Sequence, residues 1–199
     1  MLDFNPSLVA PRMPQFRVLT VCTGNLYRSP LAECLLRGLL ATAGDAIHVS
    51  SAGTAAVSGT AMAGEAASVI AGRGVGSGGS VPRRLTAELV ESSDLVLGAA
   101  TEHREAAVRL SPVWALSRAF SLREFARLVR AKDAAGVVNP AARLAALVEG
   151  AAARRGAAGS DAVDDDVQDP LGASAVEVRE CVARIEAAVE RIATVLLVG

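Results

Sequence analysis

The segment FRVLTVCTGNLYRSP, from Phe16 to Pro30, decides the fold, because it predicts a buried strand, a short polar loop and a helix start in direct succession. Its first part is almost continuously apolar and rich in β-branched residues, a pattern typical of a parallel strand covered on both faces. Cys22 and Arg28 bracket the loop. Ser29 and Pro30 are favoured at a helix N-cap and in the first helical turn, so we expect Ser29 to cap the helix and the loop to face its positive end.

The rest of the chain predicts strands and helices in alternation. Further strand-length apolar runs occur at Ile47–Ser51, Asp94–Gly98 and Ala119–Ser121. Helical patterns occur at Pro30–Gly44, where Gly44 is expected as the C-cap, and at Ala61–Gly72, Leu85–Glu91, Thr101–Ser111, Leu122–Lys132 and Ser174–Leu197. The alternation predicts an α/β fold with a four-stranded parallel sheet, helices on both faces and right-handed crossovers, and the polar loop follows the first strand.

The length of 199 residues suits one domain with a buried core. We expect residues 1–15 to be a loose N-terminal arm and residues 16–199 to be a single α/β domain. Residues 133–162 break the alternation and contain a helix that begins at Asn139-Pro140. We interpret this segment as a helical insertion or a lid.

Composition excludes several classes of protein. Half the residues are apolar and the formal net charge is −1, so the chain is neither disordered nor suited by its charge to nucleic acid. The three cysteines, Cys22, Cys34 and Cys181, form neither a disulfide framework nor a zinc-binding spacing, which favours a reducing cytoplasm. The N-terminus matches neither a signal peptide nor a membrane span, so no membrane partner is expected.

The loop between Cys22 and Arg28 has the chemistry of an anion site. Successive backbone N–H groups and the helix dipole converge on one side of such a loop; the residues that supply them are Thr23, Gly24, Asn25, Leu26 and Tyr27. Arg28 adds a planar fork that binds two phosphate oxygens at once. The same positive field favours the thiolate of Cys22, which would then be a nucleophile near neutral pH.

Two nucleotide-binding motifs are excluded. No Gly-Lys-Ser/Thr sequence follows the loop, so it is not a Walker loop. The run Gly74–Gly79 formally matches GxGxxG, but no strand precedes it and no helix begins on it, so we interpret it as a flexible loop.

The segment Val21–Pro30 resembles the phosphate loop of the low-molecular-weight protein tyrosine phosphatases. Asp169–Gly172 is similar to the late Asp-Pro loop of that family, and Ser51–Thr54 to the loop after its second strand. The resemblance spans residues 16–197 in element order. It implies a phosphatase that hydrolyses phosphomonoesters, with phosphotyrosine in proteins as the expected substrate and a phosphocysteine intermediate.

By that resemblance, Cys22 would be the nucleophile and Arg28 the phosphate ligand. Ser29 would donate a hydrogen bond to the thiolate, and Asn25 would hold the loop in shape. Asp169 would be the general acid, which the chemistry requires in any case because an unprotonated alkoxide or phenoxide leaves slowly. No metal or other cofactor is implied, because the thiolate and Arg28 would do the work of a metal.

The choice of Asp169 depends on the family pattern and on Pro170, which fixes the loop. The preceding run Asp164–Asp166 is interpreted as solvated surface. Three positions depart from the family: Tyr27 replaces a frequent second cysteine, and Leu171 and Ala55–Val57 replace common aromatic residues. We therefore expect weak binding of aryl phosphates.

Two alternative functions stay open. An arsenate reductase uses a related loop but needs relay thiols, and Cys34 and Cys181 lie in unpromising contexts for that role. A phosphate-binding module without turnover is the second alternative. The presence of Cys22, Arg28 and Asp169 together argues against it.

Overall fold

The computed structural model describes residues 15–57, 59–60, 64–72, 81–157 and 164–197. The expected N-terminal arm, apart from Gln15, lies outside the described residues, as do the glycine run Gly74–Gly79 and the predicted first turn of the helix at Ala61.

The four strands form one parallel sheet. Their bounds are Phe16–Cys22 for β1, Ile47–Gly53 for β2, Leu95–Gly98 for β3 and Ala119–Ser121 for β4. The strand order is β2-β1-β3-β4, and every pairing is parallel, which confirms the predicted sheet. Because β1 lies between β2 and β3, the strand order reverses its direction beside β1. In open α/β sheets, ligands bind at the carboxyl ends of the strands at such a point.

Helices cover both faces of the sheet. Their bounds are Arg28–Leu39 for α1, Gly64–Gly72 for α2, Ala87–Glu91 for α3, Thr101–Leu110 for α4, Pro112–Ala115 for α5, Leu122–Leu128 for α6, Pro140–Ala157 for α7 and Ala175–Leu197 for α8. Two 3₁₀ segments occur at Ala41–Ala46 and Ala131–Ala134. No described helix is both long enough and apolar enough to cross a membrane.

The core has one layer on each side of the sheet, because successive side chains of a strand point to opposite faces. Val18 belongs to the larger cluster, which also contains buried residues of α1, α6, α7 and α8. Leu19 and Val21 belong to the smaller cluster, with buried residues of α3, α4 and α5. Helix α7 begins at Pro140, as predicted, and buries Leu144 in the larger cluster.

Three predicted helix ends are wrong. Ser29 is not the N-cap, because α1 begins one residue earlier, at Arg28, and Tyr27 occupies the cap position without a side-chain bond. Helix α1 ends at Leu39, and Gly44 adopts its positive φ of 57° inside the following 3₁₀ segment. Helix α6 ends at Leu128, because Val129 is extended and fully buried, so tertiary packing overrides local helix propensity.

Candidate active site

The loop after β1 is tightly bent and closely packed. Among the described residues, Asn25 is the only non-glycine with a positive φ, at 56°. One left-handed residue within a turn lets successive N–H groups point to the same side, the arrangement that binds anions. On the other side of the loop, a Cβ at Gly53 would lie 2.6 Å from the Thr23 carbonyl oxygen. Only glycine therefore fits at the end of β2.

Cys22 is the last residue of β1 and is buried. Its Sγ lies 3.0 Å from Ser29 Oγ, and Ser29 Oγ also lies within hydrogen-bond distance of the Ala52 carbonyl oxygen, at 3.2 Å. Ser29 has one hydroxyl hydrogen. With Cys22 as a thiol, the S–H donates to Ser29 and the hydroxyl donates to Ala52; with a thiolate, the hydroxyl turns to the sulfur. Ser29 is therefore placed for the predicted hydrogen bond to a Cys22 thiolate, although it does not cap the helix.

The Asn25 side chain is held by partners in α1, in β2 and in the segment before α3. Its Nδ2 donates to Ser29 Oγ at 3.0 Å and to Ser51 Oγ at 2.8 Å. Its Oδ1 accepts from the Arg83 backbone N–H at 3.1 Å. Ser51 Oγ in turn donates to Glu33 Oε2 at 2.6 Å. The predicted loop-holding role of Asn25 thus has a geometric basis, and the network includes Glu33 and Arg83, which the sequence analysis missed.

Arg28 is 4% exposed, and its guanidinium lies at the centre of the site. Nη1 donates to the Val167 carbonyl oxygen at 3.0 Å, and Nη2 donates to Thr23 Oγ1 at 3.2 Å. Nη2 also donates to Asp169 Oδ2 at 2.5 Å. The structure therefore brings together the three residues predicted as nucleophile, phosphate ligand and general acid, although Asp169 comes from the far end of the chain.

The acidic run before Asp169 is not simply solvated surface. Asp165, whose side chain is 12% exposed, pairs with Arg127 of α6 at 2.6 Å. Asp166 accepts from the backbone N–H of Thr101 at 2.7 Å and from its hydroxyl at 2.9 Å, at the start of α4. These bonds fasten the segment to two helices, and they explain how the exposed Asp169 is kept beside Arg28.

The third aspartate fastens the same segment to α8. Asp164 accepts from Arg184 Nη1 at 3.3 Å, and a backbone hydrogen bond from Asp166, followed by Arg184, lowers the pKa of its carboxyl. The tethering roles of all three aspartates escaped the sequence analysis, because an acidic run looks the same whether it faces water or arginines.

A buried histidine on α4 also contacts the loop. His103 is 1% exposed, its Nδ1 lies 3.0 Å from the Ala100 backbone nitrogen, and its Nε2 lies 3.0 Å from Thr23 Oγ1. Burial, followed by the positive charge of Arg28, lowers the pKa of His103. A single histidine in a helical segment carries no sequence signal of such a role, and the sequence analysis missed it.

The other two cysteines are buried and form no disulfide. Burial raises the pKa of Cys181 to about 11, and burial followed by the charge of Glu33 raises the pKa of Cys34. Both environments disfavour the thiolate that a relay would need. Within the described ranges, no group of three or more histidine, cysteine, aspartate or glutamate side chains is placed to hold a metal ion.

Small and aliphatic residues flank the loop. The Ala55 backbone N–H donates to the Thr23 carbonyl oxygen at 2.9 Å, which places the segment after β2 beside the loop. Leu171 donates its backbone N–H to Asp169 Oδ1 at 3.2 Å, and its side chain is 65% exposed. The residues expected to replace aromatic walls are therefore next to the site, and Leu171 projects into solvent.

The parallel sheet and the cysteine-bearing loop at its carboxyl edge define a class: α/β proteins with a thiol at the start of the loop that follows the first strand. Residues 17–146 match the family model described as low molecular weight phosphotyrosine protein phosphatase, and the chain belongs to that family. This membership confirms the resemblance seen in the loop sequence.

Two named relatives illustrate the range of the family. The chain is 38% identical over 95 residues to the low molecular weight protein-tyrosine-phosphatase Etp of Escherichia coli K12, an alignment covering 48% of this chain and 62% of Etp. It is 34% identical over 88 residues to the protein-arginine-phosphatase of Bacillus subtilis, which covers 44% of this chain and 58% of that protein. The chain thus spans less than two thirds of the length of both relatives.

Solved structures share the fold over most of the chain. The low molecular weight protein tyrosine phosphatase of T. tengcongensis has a TM-score of 0.65 at 23% identity and covers 89% of this chain and 97% of its own. The YwlE arginine phosphatase of Geobacillus stearothermophilus has a TM-score of 0.64 at 24% identity, with coverage of 89% and 90%. At such identities the likeness concerns the fold alone.

Proposed function

We propose that this protein is a phosphatase that hydrolyses phosphomonoesters on proteins through a phosphocysteine intermediate at Cys22. The observation that carries the proposal is the convergence of three groups. The Cys22 thiol lies at the base of the loop, and the Arg28 guanidinium is paired with the Asp169 carboxylate at its mouth. A nucleophile, an oxyanion ligand and a proton donor are the groups that phosphoryl transfer to a thiol requires.

The first step forms a phosphorus–sulfur bond and breaks the ester bond. The Cys22 thiolate, with the Ser29 hydroxyl hydrogen turned to its sulfur, attacks phosphorus in line with the leaving oxygen. Arg28 and the loop N–H groups bind the other phosphoryl oxygens. Asp169 gives its proton to the leaving oxygen, and the dephosphorylated side chain departs as a neutral hydroxyl.

The ion pair between Arg28 and Asp169 would be broken when the substrate binds. A phosphate dianion that binds Arg28 replaces the Asp169 carboxylate at Nη2, since both anions need the same donor. Asp169 is then released from Arg28 and lies beside the bound substrate. Substrate binding would therefore free the Asp169 side chain to reach the leaving oxygen.

The second step reverses the roles. The Asp169 carboxylate left by the first step takes a proton from water, and the resulting oxygen nucleophile attacks phosphorus. The phosphorus–oxygen bond forms as the phosphorus–sulfur bond breaks, so inorganic phosphate leaves and Cys22 returns as a thiolate. No electron acceptor or other reactant besides water is needed.

We further propose phosphotyrosine as the phosphorylated residue. Etp is named as a tyrosine phosphatase and the Bacillus subtilis relative as an arginine phosphatase, so both substrates belong in the test. The small and aliphatic surroundings of the loop, Ala55 and Leu171 among them, suit an aromatic ring better than a cationic guanidinium, which gains from acidic or aromatic neighbours.

The three cysteines form no disulfide and one of them is the proposed nucleophile, which also supports a reducing cytoplasmic location, because oxidation of Cys22 would block the first step. Arsenate reduction is the less favoured function, because the buried environments of Cys34 and Cys181 disfavour relay thiolates.

The test is steady-state hydrolysis of p-nitrophenyl phosphate in the presence of EDTA, followed by phosphate release from matched phosphotyrosine and phosphoarginine peptides. We expect Cys22-dependent turnover of the first substrate and a higher kcat/KM for the phosphotyrosine peptide. Preference for phosphoarginine would reject the tyrosine assignment alone. Phosphate binding without any turnover would instead favour the non-catalytic module.

A further inference from the structure

The tautomer of His103 follows from its hydrogen bonds. The Ala100 backbone N–H donates to Nδ1 at 3.0 Å, so Nδ1 is an acceptor and carries no hydrogen. A neutral imidazole has one ring hydrogen, which must then be on Nε2. The lowered pKa of His103, caused by burial and then by Arg28, keeps the ring neutral near pH 7.

The hydrogen on Nε2 leads directly to the phosphate loop. Nε2 lies 3.0 Å from Thr23 Oγ1 and 3.3 Å from Glu102 Oε1, and the Glu102 side chain is 71% exposed. Thr23 is the closer acceptor, and Glu102 has water to satisfy it. The Nε2–H therefore donates to Thr23.

Thr23 Oγ1 receives a second hydrogen bond from Arg28. Nη2 of Arg28 donates to Thr23 Oγ1 at 3.2 Å. A hydroxyl has two lone pairs and one hydrogen, and here both lone pairs accept from N–H donors. The hydroxyl hydrogen cannot point to either donor, and the hydroxyl makes no hydrogen bond to an acceptor within the described part of the chain.

The position of Thr23 identifies the acceptor that this hydrogen would meet. Thr23 follows the nucleophile Cys22 directly, and its Oγ1 shares Nη2 of Arg28 with Asp169 Oδ2. A phosphoryl oxygen that replaces the Asp169 carboxylate at Nη2 therefore lies beside Thr23 Oγ1.

We propose that the Thr23 hydroxyl is a hydrogen-bond donor to the phosphoryl group, and that His103 is the positioning residue that fixes this donor role. The inference rests on the proposed function, because it assigns a contact to the group that the enzyme would transfer. His103 acts only through Thr23: because its Nε2–H donates to Thr23 Oγ1, the hydroxyl hydrogen cannot point to the ring and is left to face the phosphoryl group.

The first experiment compares Thr23→Val with Thr23→Ser, using kcat/KM for p-nitrophenyl phosphate and the dissociation constant of orthovanadate, which mimics five-coordinate phosphorus. Loss of one donor to a developing oxyanion should lower kcat/KM by ~10- to 10²-fold in Thr23→Val. Vanadate affinity should fall with it, while Thr23→Ser stays close to the wild type. Full activity and full vanadate affinity in Thr23→Val would overturn the proposal.

The second experiment is a double-mutant cycle of Thr23→Val with His103→Leu. A residue that acts through Thr23 should lose its effect once the hydroxyl is gone, so His103→Leu should lower kcat/KM by about tenfold in the wild type and hardly at all in Thr23→Val. His103→Gln, which keeps an acceptor for Ala100 and an N–H donor, should recover part of the loss. Equal losses in both backgrounds would mean a purely structural His103 and would remove the positioning role.

The comparison of Thr23→Val with Thr23→Ser does not require any His103 variant to fold. The measurement of vanadate binding does not require the enzyme to turn over. A wild type that binds vanadate through Thr23 but releases no phosphate would refute the proposed function and leave the donor assignment standing. A wild type that releases phosphate, together with a Thr23→Val variant of full activity and full vanadate affinity, would refute the donor assignment and leave the proposed function standing.

Discussion

Arg28 and Asp169 are 141 residues apart in sequence, yet Nη2 of the one donates to Oδ2 of the other at 2.5 Å. The arginine side chain is almost fully buried, whereas the aspartate side chain is 45% exposed. Asp169 therefore has the freedom to leave while Arg28 stays in place. A phosphate group bound to Arg28 would compete with the Asp169 carboxylate for the same donor.

Cys22→Ser should abolish turnover and keep phosphate binding, because a serine hydroxyl in this loop stays protonated and is a poor nucleophile. Turnover is measured as the rate of p-nitrophenyl phosphate hydrolysis. Phosphate binding is measured by calorimetry with inorganic phosphate. Cys34→Ser is the matched control, since it removes a buried thiol outside the loop. A Cys22→Ser variant with even a tenth of the wild-type rate would remove Cys22 from the mechanism.

Asp169→Asn should lower kcat by ~10²- to 10⁴-fold, with the largest loss for leaving groups of high pKa, because it removes the general acid. The same variant should bind inorganic phosphate at least as tightly as the wild type, because the amide carries no charge to compete for Arg28. A leaving-group series and a phosphate titration check the two parts. A silent Asp169→Asn beside a large loss in Asp166→Asn would identify a different acid.

Asp165→Asn should lower kcat by up to ~10²-fold with little change in KM, because it loosens the segment that places Asp169. Stability should change by only ~1 kcal/mol, since Arg127 is partly exposed. Asp133→Asn is a matched control, because Asp133 pairs with Arg154 outside the loop, and this ion pair lowers the pKa of Asp133. A kcat loss of equal size in both variants would contradict the tethering role.

The stability of the wild type should fall as the pH falls below about 6.5, the ordinary pKa of histidine. His103 has a lowered pKa in the folded protein, so the unfolded chain binds its proton first; the contribution is complete above pH 6.5 and decreases towards the folded pKa. One proton gives a slope of at most about 1.4 kcal/mol per pH unit. Arg28, Glu102, Asp166 and Asp169 set the field around the ring.

Urea unfolding of the wild type and of His103→Gln at several pH values between 7.5 and 5 isolates this contribution, because other titrating groups affect both proteins alike. The wild type should lose more stability than the variant over this range. Parallel curves would show that His103 has the same proton affinity in the folded and unfolded chains.

Leu171→Tyr should raise kcat/KM for a phosphotyrosine peptide by up to ~10-fold, which about 1.4 kcal/mol of ring stacking supplies. The gain should appear mainly in KM, because stacking binds the ground state and the transition state alike. Leu116→Tyr is the control, since Leu116 is similarly exposed and lies outside the loop. No gain in Leu171→Tyr would mean that the ring is recognised elsewhere or that the substrate is not an aryl phosphate.

The amino-acid sequence by itself determined the parallel sheet, the loop after the first strand and the candidate residues Cys22, Arg28 and Asp169. These features depend on local information: continuous apolar runs predict buried parallel strands, and a short motif has the same spacing in every chain that contains it. The alternation of strands and helices then leaves few possible topologies.

Only the tertiary structure decided how those residues are partnered. Ser29 was expected both to cap α1 and to bond Cys22; the structure keeps the bond to Cys22 and begins α1 at Arg28, so Ser29 is not the cap. Asp165 looked solvated and is paired with Arg127, and His103 gave no signal yet contacts Thr23 across 80 residues of sequence. Such contacts join elements that meet only when the sheet and helices pack, and neither periodicity nor motif spacing contains the distance between side chains so far apart in sequence.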